Sequence, residues 1–132
     1  MLTKINLFAN TTGPVGSIEE VVSTITNATG VVEHDISSVS TFYHSSISSD
    51  FTANITNVPT TDNRVIVIAL ILAQGTTAYL PTAVQIDGNV VTPVWIDGIT
   101  PEGTISGVNV VSYSLLRVGS AWTVIASISS FE

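Results

Sequence analysis

With 132 residues the chain is long enough for one domain with a real core and too short for two ordinary ones. Ten carboxylates against Lys4, Arg64 and Arg117 give a formal charge of -7 and leave no basic stripe, which argues against direct nucleic-acid binding and against docking on an anionic membrane. The absence of cysteine excludes a disulfide framework, thiolate catalysis and a Cys-based zinc site.

Charged residues make up only 10% of the chain, against roughly 25% in an ordinary soluble domain. Ser and Thr together supply 34 residues, so the exposed surface is expected to be neutral and hydroxyl-rich. That composition suits β-structure, where Thr packs on a pleated surface and Ser tolerates turns.

Residues 1–30 read as an amino-terminal arm or attachment segment. Their apolar patch is broken and makes a poor signal peptide. Leu2, Ile5, Leu7 and Phe8 are expected interface residues instead. Within SIEEVVSTIT, Ser17 and Glu20 have capping-box spacing, whereas Val21, Val22, Thr24 and Ile25 favour a strand, and both outcomes stay open.

Residues 31–132 read as a β-sandwich domain. VVEHDI and STFYHS are short strands around Ser37-Ser38. FTANITNV alternates, with Phe51, Ala53, Ile55 and Asn57 on one face, and Pro59 ends it. Nine apolar residues then run from Val65 to Ala73, fewer than the roughly 20 needed to span a bilayer. The run has strand length and β-branched character, which predicts a strand buried on both faces.

Asp87-Gly88 and Asp97-Gly98 are hairpin signals, because a type I′ turn needs positive φ at both central residues. TPEGTISG, residues 100–107, reads as a long loop. Two strands follow around Val118-Gly119-Ser120, and in the second Trp122, Val124, Ala126 and Ile128 share a face. The fold class is therefore all-β, a sandwich or jelly roll of about seven or eight strands.

Few residues suggest chemistry. His34 with Glu33 and Asp35, and His44 ten residues on, form the densest titratable cluster. On a strand Glu33 and His34 point to opposite faces, so surface or capping roles are expected rather than a metal site. Asp87, Asp97 and Glu102 have the oxygen ligands Ca²⁺ uses, yet turn chemistry already explains the two aspartates. Sixteen serines allow a Ser/His/Asp triad on paper, but there is no G-x-S-x-G elbow. The sequence thus assigns no catalytic, cofactor or metal residue and predicts a protein that is not an enzyme. The aromatic residues read as core and interface packing, with a carbohydrate-stacking platform as the other option.

What remains is an apolar surplus, which usually marks an interface between copies. A closed symmetric oligomer is expected, with Ile68, Leu70 and Trp122 at its contacts.

FTANITNVPTTDNR, QIDG and the closing LLRVGSAWTV resemble a module of virion structural proteins from cyanophages and related tailed phages. The resemblance covers about Phe42 to Ser127. It implies a β-sandwich that assembles as a homotrimer on the particle exterior, with major capsid protein subunits as partners. A chain that opens at Met1 and carries no shaft is expected to be a stand-alone cement or decoration protein on the capsid. The other reading is a tail fibre or adsorption component that contacts host-surface glycan.

Overall fold

The computed structural model describes residues 16–132, which form an all-β body of two sheets. The strands are β1 (Val22–Thr26), β2 (Gly30–Asp35), β3 (Thr41–Ser45), β4 (Phe51–Thr56), β5 (Arg64–Ala73), β6 (Pro81–Ile86), β7 (Asn89–Val90), β8 (Val94–Trp95), β9 (Val108–Val118) and β10 (Ala121–Phe131). Among the described residues there are ten rather than seven or eight. The surplus comes from two-residue strands at sheet margins and from β1, which lies in the segment read as an arm.

One sheet has the order β1-β3-β5-β9-β10-β8 and the other β2-β4-β6-β7. From β1 to β6 the chain changes sheet at every connection. Each strand therefore pairs in parallel with the one two places on: β1 with β3, β3 with β5, β2 with β4, β4 with β6. Three of these five connections make a sharp backbone bend just after a strand. Asn27, Ser46 and Asn57 supply it with φ of 59°, 51° and 59°. Asn adopts this left-handed conformation more readily than most non-glycine residues. Val118-Gly119-Ser120 then folds β10 back on β9 as a long antiparallel hairpin, and β9 also pairs with β5.

The open alternative at residues 17–26 resolves to a strand. The β-branched residues of β1 add a parallel edge to β3, and no helix follows Ser17 and Glu20. Asp87-Gly88 forms its hairpin, with φ of 46° and 82°, between β6 and β7. Asp97-Gly98 differs from expectation: its positive φ values of 55° and 65° close a single turn in which the Ile99 amide donates to the Ile96 carbonyl. No strand returns from it, because residues 99–107 run on as a loop.

The sheets pack face to face over one core. Phe42, Ile68, Leu70, Leu72, Val111, Tyr113, Leu115 and Val124 come from the six-stranded sheet, and Phe51, Ala53, Ile55, Val84 and Ile86 from the four-stranded one. The alternations at Phe51/Ala53/Ile55 and at Trp122/Val124/Ala126/Ile128 point inward as the sequence predicts.

Burial of β5 on both faces does not hold within the chain. Ile66, Ile68, Leu70 and Leu72 face the core, whereas Val65 and Val67 on the opposite side are 57% and 59% exposed.

Candidate functional site

Register defines the outer face of the six-stranded sheet. Directly paired residues share a face, and side chains alternate along each strand. One row runs Val94–Ile125–Ser114–Val67, and another runs Ser129–Val110–Ile71–Tyr43–Thr24. Followed through all six strands, the outward positions are only Val, Ile, Leu, Ala, Phe, Tyr, Ser and Thr. Among the described residues, no Asp, Glu, Lys or Arg stands at these positions. Val22, Val65, Val67, Val118, Ile125 and Phe131 are all exposed there.

The charge sits elsewhere. The outer face of the four-stranded sheet carries Glu33, Asp35, Asn54 and Gln85 beside Thr52 and Thr56. Arg64 and Arg117 pair across β5 and β9 at the sheet end, on the inward side. There Arg117 approaches Asp62 at 3.3 Å and lies 5.0 Å over the Trp122 ring. This end of the body combines a charge pair with a cation–π contact, which suits a wet rim.

The residues expected at an interface divide accordingly. Leu2, Ile5, Leu7 and Phe8 lie outside the described residues. Ile68 and Leu70 are 1% and 0% exposed inside the protomer core, so they have no free surface to offer a partner. Their neighbours Val65, Val67, Ala69 and Ile71, one residue out of phase, occupy the outer face instead. Trp122 is half-buried against Arg117 at the rim.

Surface or capping roles for the histidines are also corrected. His34 and His44 are both 0% exposed. They face each other across the two sheets, Nε2 to Nε2 at 2.9 Å, so one neutral ring donates and the other accepts. Phe42 meets His34 edge-on and Phe51 stacks on His44, with centroids 5.0 and 5.1 Å apart. Burial pushes both rings down to about 4. Neither Nδ1 has a hydrogen-bond partner. Glu33 points outward and is within 3.2 Å of the Thr56 hydroxyl, which donates to it. Among the described residues no group of three metal-ligating side chains forms.

The loop aspartates bind backbone. Asp87 accepts from the amides of Asn57 and Val58 at 2.8 and 3.2 Å, and Asp50 accepts from Leu80 at 2.9 Å. Asp97 and Glu102 do not join Asp87 in a cluster.

The sequence reading missed Asn109, which is fully buried. Its Oδ1 accepts from Gln74 Nε2 and the Thr104 amide at 3.1 and 2.9 Å, and its Nδ2 donates to the hydroxyls of Thr104 and Ser130. The group ties the loop 99–107 to the start of β9. Its one sequence signal is an amide in phase with the inward Val111, Tyr113 and Leu115 of the same strand.

Of the aromatic residues, Phe42, Phe51 and Tyr113 belong to the core, and Tyr43 and Phe131 to the outer face. Trp95 borders a cleft of about 440 Å³ shared with Leu80, Pro81, Pro93, Ile99 and Pro101. The hydroxyl-bearing side chains of Thr82 and Thr100 also line it.

Comparison with known protein families, curated proteins and solved structures gives no match. The functional reading therefore rests on the chain's own residues. Among them no helix is long and apolar enough to cross a membrane.

Proposed function

We propose that this chain is a virion structural protein, a cement or decoration protein on the capsid exterior that acts by contact rather than by chemistry. The observation that carries the reading is the charge-free outer face of the six-stranded sheet. In a chain of net charge -7, a broad face with no charged side chain among the described residues is built to be covered. The sequence resemblance supplies the setting: a homotrimer seated on major capsid protein subunits.

The mechanism is avidity. Several modest contacts made at once hold neighbouring capsid subunits against internal pressure, although each contact alone would be weak. Within the all-β class we favour a β-sandwich over a jelly roll, because the first six strands pair in parallel rather than in Greek-key fashion.

The Trp95 cleft favours a second reading, an adsorption component whose Trp95 ring stacks on host glycan. Counting copies on purified virions separates the two. A cement protein matches the capsid subunits in abundance, and heads that lack it break under heat or osmotic shock. Abundance at the level of a tail component, with binding of the isolated protein to host cells, supports adsorption and overturns the cement reading.

A further inference from the structure

We infer that the outer face of the six-stranded sheet is where copies of this chain meet one another. This rests on reading that face as a contact surface and goes further by naming its occupant.

Size favours a copy. Outward residues lie about 4.8 Å apart between strands and about 6.8 Å apart along a strand, so each covers roughly 33 Å². About two dozen such positions give on the order of 800 Å² per protomer, the area that a stable specific interface takes from each partner.

Charge favours a copy as well. A partner selected for an acidic protein would carry cations and would be drawn to Glu33 and Asp35 on the other sheet, not to a face with nothing to pair. A neutral, hydroxyl-flecked apolar surface is matched by another neutral surface, and the chain presents one. Contact through the outer face of the four-stranded sheet would instead bring Glu33 and Asp35 of two copies together, and like-charge repulsion disfavours it.

The centre of the face is the row through Val67, Ser114 and Ile125. Val67 and Ile125 are 59% and 52% exposed in the protomer, so changing them leaves the core intact.

The test is sedimentation velocity of the full chain, native and with Val67→Glu plus Ile125→Glu. The native chain should sediment as a closed oligomer. The Glu pair should raise the dissociation constant at least about a hundredfold, because carboxylates would be buried without partners. Its circular dichroism should stay unchanged. Val31→Glu, on the outer face of the other sheet, should leave the oligomer intact. If the Glu pair lowers the melting temperature, Val67→Ser with Ile125→Ser carries the same test more gently.

A native chain that stays monomeric, or an oligomer that survives both pairs, overturns the inference. The failures are distinguishable. A monomer whose capsid occupancy still falls with the Glu pair overturns contact between copies and leaves decoration standing. An oligomer that dissolves with the pair, in a protein missing from purified heads, supports contact between copies and sinks decoration.

Discussion

Acid should destabilise this protein in a defined window through the His34–His44 pair. Both rings have an ordinary pKa of 6.5 and about 4 in the fold. Because the folded value is the lower one, the unfolded chain takes up protons first as pH falls. The neutral pair therefore contributes fully above pH 6.5, and its contribution is lost between 6.5 and 4. At pH 5 the loss for His34 is about 2 kcal/mol from proton linkage. His44 is less deeply enclosed by protein atoms, though equally closed to solvent, and counts at a discount, about 1 kcal/mol. A total near 3 kcal/mol moves a urea midpoint by about 1–2 M at the slope expected for a domain of this size. Urea titrations at pH 7.5, 6 and 5, read by the fluorescence of Trp95 and Trp122, measure it directly. The control is His34→Leu with His44→Leu, which removes both partners at once and should flatten the midpoint between pH 7 and 5. Asp35 is held below its usual range by the Asn57 side chain and by Ser37, so it titrates beneath this window. A double variant with the native pH slope would refute the reasoning.

Three further outcomes follow from the packing. Ile68→Asp places an unpaired carboxylate at a 1% exposed position, a cost comparable to the roughly 5–15 kcal/mol of a whole domain; no cooperative thermal transition should remain. Asn109→Ala strands Gln74, Thr104 and Ser130 together and should cost about 2–4 kcal/mol by urea denaturation, with early hydrogen exchange in residues 99–107. The Tyr113 hydroxyl is buried with no partner, so Tyr113→Phe should hold or raise stability, by up to about 1 kcal/mol in a thermal melt.

How far the sequence could be read depends on how local each feature is. The alternation in FTANIT and in β10, the Asp87-Gly88 turn and the strand length of residues 65–73 are set by neighbours a few positions away, and these appear in the fold. Strand pairing is not local. Three of the five changes of sheet from β1 to β6 turn on Asn27, Ser46 and Asn57 at positive φ, and nothing beside those residues distinguishes such a corner from an ordinary turn. The histidines were partly legible: His34 shares a strand face with Val32, and His44 with Phe42, so both lie in phase with core residues. That signal is weak in five- or six-residue strands, and the charged neighbours Glu33 and Asp35 obscured it. The outer face was legible only as a surplus, because six strands scattered from residue 22 to residue 131 build it.

The position of β5 explains why its run is unbroken. It lies between β3 and β9, two strands from the β1 edge. A polar residue at an odd-numbered position there would cost nothing to the protomer core, yet Val65, Val67, Ala69, Ile71 and Ala73 are all apolar. Flanking strands place Ser112 and Ser114 opposite Ala69 and Val67, which keeps the face wettable without charge. The run ends at Arg64, beside Arg117 and Asp62, where the body reaches its rim. Charge thus returns only where the sheet ends, which is the distribution that the contact surface proposed above requires.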